Sequence, residues 1–302
     1  MATFKKITED DLPLLEKHYL KFEPYSDFNV VSIWGYMVPG ARYIHNEGAV
    51  LYEMLDYNTD EPYLSIMGDH SSRKLVAEAA KDIHEPTFTL YSVPESTYKE
   101  AFKGWDAVTS VQEDIDNHDY IFSVRDIAHF DDEKYKEKKK KLAKFARKYP
   151  NVTVKEIDHT DPKVREEMYA VFKKWIKESG STTWQREYQA LQRALTIQGF
   201  RVVCVAAFDN ETMIGFTVNE IENNDYYQGH YGKAGYQYRG LGLLLEHETA
   251  KIIVKDYGSK YMNLQQDLGI EGIRYYKQSL MPLKQLKKFN VTIDTKRASS
   301  LH

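Results

Sequence analysis

The spacing of apolar and polar positions predicts an ordered series of strands and helices in the second half of the chain. Residues 152–157 alternate as in a half-buried strand. Asp161-Pro162, a capping residue followed by a proline, predicts the start of a helix, and apolar residues at helical spacing follow it. A second helix begins near Trp184. The remaining predicted elements are strands at 200–208, 212–221 and 225–233, a helix at 243–257, a strand at 260–264, a helix at 272–280 and a strand at 285–293.

The first half repeats this order of elements, although the two halves share negligible sequence identity. The predicted elements are a strand at 4–7, helices at 8–20 and 28–36, strands at 41–45, 49–55 and 63–66, a helix at 71–83, a strand at 87–91, a helix at 94–102, and strands at 108–111 and 120–124. Such a repeat indicates two similar domains. The sequence therefore predicts an α+β protein with domains at 1–130 and 151–302, joined by a basic connecting helix at 131–150.

Two glycines lie between the strand at 225–233 and the helix at 243–257, in Gln237-Tyr238-Arg239-Gly240-Leu241-Gly242. Glycine lets the backbone approach a ligand closely, and the first amides of a helix have no intrahelical partner. This junction is a predicted phosphate or pyrophosphate site, with Arg239 as a neighbouring cation. The alternative is a plain turn. The first half has only Met67-Gly68-Asp69-His70 at the corresponding position, so we expect no cofactor there.

The predicted connecting helix is rich in lysine. Tyr135, Leu142, Phe145 and Tyr149 form one apolar seam along it. The preferred interpretation is a solvated helix that packs by this seam. The alternative is a basic wall for a polyanion such as a cofactor phosphate or RNA.

Composition narrows the class of protein further. The 302 residues carry a net charge of −4, which gives no overall attraction to nucleic acid or an anionic membrane. Cys204 is the single cysteine and lies in an apolar strand, so we expect a core residue. The sequence has no apolar run of membrane-spanning length and no signal-peptide region at its start, so we expect a cytoplasmic protein.

The second half resembles the GCN5-related N-acetyltransferase (GNAT) fold in its order of elements and in its glycine junction. The acyl-CoA loop of that fold has the form Gln/Arg-x-x-Gly-x-Gly/Ala. Two registers fit, one beginning at Gln237 and one at Arg239, and both contain Arg239, Gly240 and Gly242. The resemblance implies two tandem GNAT-like domains, each with a mixed, mostly antiparallel sheet flanked by helices. It also implies acetyl-CoA or another acyl-CoA as the donor, bound at residues 237–242.

A second resemblance covers nearly the whole chain. Its markers are Tyr25-Ser26-Asp27-Phe28-Asn29, the basic helix, and Asn263-Leu264-Gln265-Gln266-Asp267-Leu268-Gly269-Ile270, followed by Arg274, Lys277 and Pro282. Together they resemble an uncharacterised bacterial family related to the C-terminal domain of phosphatidylglycerol lysyltransferase. That relationship, like a relationship to Fem transferases, implies aminoacyl-tRNA as the donor instead of acyl-CoA.

Moving an acyl group to an amine requires a proton acceptor and a proton donor. The GNAT resemblance implies that Tyr276 protonates the leaving group, with a helical core aromatic as the alternative. His230 and Glu220 lie on neighbouring predicted strands and are candidates for the base. Asn263, Gln266 and Asp267 are candidates for binding the acceptor, although Asp267 can also cap a helix.

Three hypotheses for function follow. The leading one is an acyl-CoA-dependent N-acyltransferase that acts on a small amine or amino acid. The second is an aminoacyl-tRNA-dependent transferase with tRNA as a partner, and the third is a non-catalytic binding module on the same fold. The histidines are scattered without ligand spacing, so we expect no metal.

Overall fold

A computed structural model describes residues 4–37, 40–56, 61–179, 184–223 and 225–301. It contains two seven-stranded sheets, each with mixed but mostly antiparallel pairing and with helices packed against it. The predicted α+β fold class, with two mixed, mostly antiparallel sheets each flanked by helices, is confirmed. The strands are β1 Lys5–Lys6, β2 Arg42–His45, β3 Ala49–Leu55, β4 Pro62–Gly68, β5 Thr87–Pro94, β6 Val108–Glu113, β7 Asp119–Ser123, β8 Val152–Ile157, β9 Val202–Asp209, β10 Thr212–Asn223, β11 Tyr226–Ala234, β12 Tyr261–Asn263, β13 Lys284–Leu286 and β14 Lys288–Asp294.

The α-helices follow the same order along the chain. They are α1 Leu12–Tyr19, α2 Val30–Ser32, α3 Ser72–Ala80, α4 Glu95–Thr97, α5 Val124–His129, α6 Lys136–Lys148, α7 Pro162–Ser179, α8 Trp184–Ala194, α9 Leu241–Ile252, α10 Glu271–Gln278 and α11 Thr295–Ser299. Wider π-helical turns extend α2, α4 and α9 at Ile33–Met37, Tyr98–Phe102 and Ile253–Tyr257.

The two sheets have the same strand arrangement. The first has the order β1-β2-β3-β4-β5-β14-β6, and the second, read from its other edge, has β8-β9-β10-β11-β12-β7-β13. In each sheet the fourth and fifth strands pair in parallel, and the neighbouring pairs on both sides are antiparallel. This common order is the structural form of the repeat that the sequence predicts.

The sixth strand of each sheet comes from the other half of the chain. β14, near the C-terminus, pairs with β5 and β6 in the first sheet, and β7, from the first half, pairs with β12 in the second. The two compact units are therefore 1–119 with 266–271 and 285–302, and 120–265 with 272–284. This division differs from the predicted boundaries at 130 and 151, because strand pairing takes β14 out of the second half and β7 out of the first.

In the second unit, α9 packs on one face of the sheet through an apolar core. The buried members of this core include Tyr227, Leu243, Ala250 and Met262. The predicted seam of α6 is buried in the same unit: Tyr135 and Phe145 are almost fully inaccessible, and Leu142 and Tyr149 pack against the core. Helix α6 is therefore part of the second unit and packs by its seam, as the preferred interpretation expects.

Candidate functional site

The glycine junction connects β11 to α9 in the second unit. Gly240 is the N-cap residue of α9 and has φ +103°, in the left-handed region that favours glycine. The Leu241 amide donates to the Tyr238 carbonyl at 2.9 Å, and the Leu244 amide donates to the Gly240 carbonyl at 3.2 Å. Between them, the amides of Gly242 and Leu243 are first-turn donors with no intrahelical acceptor. A Cβ atom added at Gly242 would meet open space, so a ligand has access to these amides.

The residues before these glycines hold the junction in place. The Tyr149 hydroxyl donates to the Gln237 carbonyl at 2.9 Å, and Lys174 donates to the Gln237 side chain at 2.9 Å. The Tyr238 hydroxyl donates to Asp209 Oδ2 at 2.8 Å, and this hydrogen bond raises the pKa of Tyr238. Arg239 is exposed, and no hydrogen bond or ion pair joins it to the described residues. Its guanidinium is therefore available to a ligand.

The C-terminal turn of α6 lies against this junction. Phe145 Cδ2 is 3.5 Å from where a Cβ on Gly240 would be, and the rings of Tyr149 and Tyr238 have centroids 5.1 Å apart. The outward side of the helix carries exposed cations. Lys140 pairs with Glu137 at 2.6 Å, whereas Lys144 and Arg147 make no ion pair with the described residues. A positively charged surface thus adjoins the open amides.

The second sheet opens between β11 and β12. The two strands pair only at Tyr226–Gln228 and Tyr261–Asn263. β11 then continues to Ala234, while the chain after Asn263 leaves the sheet. The stretch of β11 from Gly229 to Ala234 is about 20 Å long at roughly 3.3 Å per residue. On the side of β12, the backbone of this stretch pairs with no described strand.

The structure brings the predicted base candidates together. His230 Nε2 lies 3.3 Å from Glu220 Oε2, and both side chains are almost fully buried. His230 is the extra residue of a β-bulge in β11, since the pairing with β10 shifts between Val218 and Asn219. Gln265 Nε2 lies 3.1 Å from His230 Nδ1. The Gln265 side chain therefore holds the His230 ring beside Glu220.

Gln228 is a polar residue that the sequence analysis did not single out. It pairs with Glu220 across β10 and β11 and is fully buried. Neither atom of its side-chain amide has a hydrogen-bond partner among the residues that the structure describes. Leaving a buried polar group unsatisfied costs about 1–3 kcal/mol. The alternation of β11 carried no signal for this residue, because a buried glutamine and an exposed one look alike in sequence.

Tyr276, the predicted proton donor, has a partner that sequence reasoning missed. Its hydroxyl donates to Oε2 of Glu246, on the second turn of α9. The other oxygen, Glu246 Oε1, is buried and has no hydrogen-bond partner within the described part of the chain. Burial raises the pKa of Glu246 to about 7, against the smaller opposing effects of Tyr276, Lys138 and Lys277. Burial and the charge of Glu246 raise the pKa of Tyr276 well above its ordinary value.

Lys138 completes the surroundings of this carboxyl–phenol pair. Its ammonium donates to Ser279 Oγ at 2.6 Å and lies 5.2 Å from the centroid of the Tyr276 ring. Burial lowers the pKa of Lys138, with a further reduction from Lys141. The seam pattern of α6 gave no indication of this contact, since Lys138 reads as one more solvated lysine in a basic run.

The sheet separates Tyr276 from the two base candidates. Thr217 lies 3.0 Å from Thr249 of α9, and Asn219 donates to the Thr217 hydroxyl, so these two residues face α9. Glu220 is next along the strand and points to the other face. On that face Lys233 pairs with Glu187 of α8 at 2.6 Å. The structure therefore joins Glu220 with His230, and Tyr276 with Glu246, on opposite faces.

The predicted acceptor-binding residues make local contacts. Asn263 is buried in the second unit, where its Oδ1 accepts from the Gln265 amide at 2.6 Å. Gln266 and Asp267 belong to the first unit. Gln266 Oε1 lies 2.7 Å from Ser26 Oγ, and Asp267 Oδ1 accepts from the Gly269 amide at 2.9 Å. Asp267 therefore stabilises a turn ahead of α10, and a role for the three residues in binding an acceptor stays a prediction.

The corresponding turn of the first unit has a different character. A Cβ at Gly68 would clash with Ala49 and Ser72, and the Asp69 carboxylate accepts from the Ser71 amide at 2.8 Å. An anionic side chain already occupies the N-terminus of α3, which opposes a second anion there. Within the described ranges, no group of three or more His, Cys, Asp or Glu side chains could hold a metal ion. None of the described helices has both the length and the apolar character needed to cross a membrane.

Comparisons with known proteins identify relatives along almost the whole chain. Residues 41–292 match the sequence model described as phosphatidylglycerol lysyltransferase, C-terminal. A conserved protein of unknown function from Bacteroides thetaiotaomicron has a similar structure, with TM-score 0.83 and 22% identity over 97% of this chain and 100% of that one. No curated protein matches the sequence.

Two further solved structures are similar at lower identity. The C-terminal domain of a candidate lysylphosphatidylglycerol synthetase from Agrobacterium fabrum aligns with TM-score 0.69 and 12% identity, over 97% of this chain and 95% of that one. L-PGS from Bacillus licheniformis aligns with TM-score 0.63 and 12% identity, over 95% and 92%. At these identities the structures establish a common fold.

Proposed function

The chain belongs to the phosphatidylglycerol lysyltransferase C-terminal family, and from that membership we propose that it is an aminoacyl transferase. It takes an aminoacyl group from a tRNA and passes it to an amine or hydroxyl acceptor. The match over residues 41–292 carries this proposal, because it spans both units and includes α6, the glycine junction and α10. The family is named for a transfer of a lysyl group, and that chemistry requires an aminoacyl donor.

The basic surface beside the glycine junction supports tRNA as the donor. Lys141, Lys144, Arg147 and Lys148 are exposed along α6, which contacts the junction through Phe145 and Tyr149. Phosphate contacts from lysine and arginine supply most of the affinity of nucleic-acid binding that does not depend on sequence. In this proposal α6 binds the tRNA backbone, and the open amides of Gly242 and Leu243 bind a phosphate close to its aminoacylated end.

Transfer breaks the bond between the acyl carbon and the ribose oxygen, and forms a new bond from that carbon to the acceptor. The acceptor loses a proton and the ribose oxygen gains one. We assign this proton transfer to Tyr276 and Glu246. With a pKa of about 7, Glu246 is present in both protonation states at neutral pH and can exchange a proton through the Tyr276 hydroxyl. His230 is less suited, because its Nδ1 already contacts Gln265 and its Nε2 lies beside Glu220 on the opposite face of the sheet.

The test is a gel-shift titration of the full chain with aminoacylated tRNA at several salt concentrations. The variant Lys144→Glu/Arg147→Glu removes two cations that have no ion pair with the described residues. If both contact phosphates, the log–log slope of affinity against salt falls by about 1.4 to 1.8 relative to the wild type. Lys163→Glu/Lys255→Glu, on exposed positions of α7 and of the turn after α9, is the matched control. Equal affinities and slopes for both variants would remove tRNA from the proposal.

A second candidate is the acyl-CoA-dependent transferase predicted from the glycine junction. The favouring observation is the open pair of amides at Gly242 and Leu243, which suits a pyrophosphate as well as a nucleic-acid phosphate. Calorimetric titration with CoA separates the two donors. Tight CoA binding without a salt-dependent tRNA complex would favour this second function.

A further inference from the structure

One aromatic side chain at the glycine junction is left uncovered. Tyr236 lies in the connection between β11 and α9 and is 55% exposed. Its backbone amide donates to Glu178 Oε2 at 3.2 Å, but its side chain makes no ring contact, hydrogen bond or ion pair with the residues that the structure describes. A single exposed apolar side chain is ordinary on a protein surface, so exposure alone does not indicate a function.

The turn that carries Tyr236 is nevertheless held firmly. The Gly235 amide donates to the Ile214 carbonyl at 3.0 Å, and the Tyr238 amide donates to the Gly235 carbonyl at 3.0 Å, which closes the turn. Gln237 is held through its carbonyl and its side chain by the hydrogen bonds described above. The backbone is therefore fixed while the ring is free, so the ring is presented to a binding partner at a low cost in conformational entropy.

The position of Tyr236 relates it to the proposed reaction. A second turn follows, in which the Leu241 amide donates to the Tyr238 carbonyl at 2.9 Å. Two such turns keep the Cα atoms of Tyr236 and Leu241 within about 14 Å of each other. Glu246 then lies five residues further along α9, or about 7.5 Å at the helical rise. A few nucleotides of an extended strand cover this path.

Cations surround the ring. Arg239 follows in the second turn, and Lys144 and Arg147 lie on the outward side of α6, which contacts the junction. All three are exposed and make no ion pair with the described residues. Proteins that bind single-stranded nucleic acid combine such cations, which contact the phosphates, with exposed aromatic rings on which the bases stack. Bases within a duplex stack on each other, so an exposed ring favours an unpaired strand, and the aminoacylated end of a tRNA is unpaired.

We propose that Tyr236 is a stacking platform for an unpaired base near the aminoacylated end of the tRNA, and that Arg239 contacts an adjoining phosphate. The inference rests on the proposed function and adds to it the form of nucleic acid that the site takes. Tyr236 binds the donor and has no part in the proton transfer. The ring selects a single-stranded end, whereas a duplex end, whose bases are already paired and stacked, gains nothing from it.

The test is a fluorescence anisotropy titration of the full chain with a labelled single-stranded RNA that has the sequence of a tRNA 3′ end. The same strand annealed to its complement is titrated in parallel. Stacking of one base contributes about fivefold or more in affinity, so Tyr236→Ala should weaken single-strand binding by at least that factor and leave duplex binding unchanged. Tyr236→Phe keeps the ring and should bind both RNAs as the wild type does.

The salt dependence separates stacking from charge. Tyr236 contacts no phosphate in this proposal, so the log–log slope of affinity against salt should be the same in Tyr236→Ala as in the wild type. Arg239→Gln should lower that slope by about 0.7 for a single strand. Tyr261→Ala is the matched control, because Tyr261 is 36% exposed in the same unit but pairs with the first residue of β11, at the far end from the junction. It should change neither the affinity nor the slope.

Three results would overturn the inference. They are a wild type that does not bind the single strand, a Tyr236→Ala variant with wild-type affinity for it, and an equal loss of affinity for single strand and duplex. The adenine of CoA also has a face that can stack, so CoA is titrated as well. Weaker CoA binding by Tyr236→Ala at an unchanged RNA affinity would assign the ring to CoA and would also overturn the inference.

Failure of the inference is distinguishable from failure of the proposed function. A salt-dependent complex with aminoacylated tRNA that is unaffected by Tyr236→Ala contradicts the stacking alone. The absence of any tRNA complex with the wild type contradicts the function.

Discussion

Replacing Glu246 by glutamine changes how stability depends on pH. Glu246 has a pKa of about 7 in the folded protein, against an ordinary value of 4.5. The folded state therefore binds the proton more tightly than the unfolded state, and the free energy of unfolding falls as pH rises through the interval between these two values. Above pH 7 the loss is complete. A glutamine at this position removes the titration and keeps an oxygen that can accept from Tyr276.

The size of the effect follows from the separation of the two pKa values. With pKa values of 4.5 in the unfolded state and about 7 in the folded state, proton linkage lowers the free energy of unfolding of the wild type by about 2.5 kcal/mol between pH 5 and pH 8. Glu246→Gln should not show this part of the loss. The difference in unfolding free energy between variant and wild type should therefore change by about 2.5 kcal/mol in favour of the variant over that interval. All other titrating groups are common to both proteins and cancel in the difference.

Urea denaturation at pH 5, 6, 7 and 8 measures this quantity directly. Glu248→Gln is the matched control, since Glu248 lies on the same helix but makes a surface ion pair with Lys251 at 2.7 Å. Its difference from the wild type should vary little with pH. A flat difference for Glu246→Gln across the same interval would refute the reasoning, because it would mean that the buried carboxyl does not titrate near neutral pH.

Two other substitutions test the remaining parts of the site and the fold. Gly242→Ala places a methyl group in open space at the first turn of α9, where the proposed phosphate binds, so it should lower the affinity for a phosphate-bearing ligand at least tenfold without changing the melting temperature. Gly272→Ala, which also places a methyl group in open space, should leave both the affinity and the melting temperature unchanged. A wild-type affinity for Gly242→Ala, measured by calorimetry, would contradict the phosphate site. Lys288→Met leaves two buried carboxylates without their cation and should cost roughly 3–5 kcal/mol in urea denaturation. Recovery of much of that unfolding free energy in the double variant Lys288→Met/Asp119→Asn would identify charge as the cause. A loss below about 1 kcal/mol in Lys288→Met alone would show that the ion pairs are dispensable.

Local patterns predicted most individual elements well. The strands at 49–55 and 152–157 have the predicted bounds, and Asp161-Pro162 begins α7 as its capping chemistry indicates. The predicted final strand at 285–293 was wrong as a single element, because it consists of β13 and β14 in different sheets. Alternation defines which residues form a strand, but it carries no information on which partner strand they join. The exchange of β7 and β14 therefore could not be read from spacing.

The candidate site was predictable where backbone conformation determines residue type. Gly240 is required by a positive φ and left a signal in the sequence, whereas a side chain at Gly242 would meet open space, so the fold alone does not require that glycine. Glu246 left no signal, since a glutamate on an amphipathic helix is ordinarily exposed. Its burial results from the packing of α9 against Tyr276 and Lys138, which lie 30 and 108 residues away along the chain. Such contacts are visible only when the tertiary structure is known.

The placement of β14 bears on the order of folding during synthesis. The first sheet has β14 between β5 and β6, so it cannot be completed until nearly the last residues have left the ribosome. In β14, the fully buried ammonium of Lys288 contacts Asp27 at 2.6 Å and Asp119 at 2.9 Å, and both carboxylates precede it by more than 160 residues. Until Lys288 is synthesised, these two acids lack the cation that they contact in the folded protein. A chain that terminates before β14 therefore lacks both the strand that joins β5 to β6 and the cation that these two carboxylates contact.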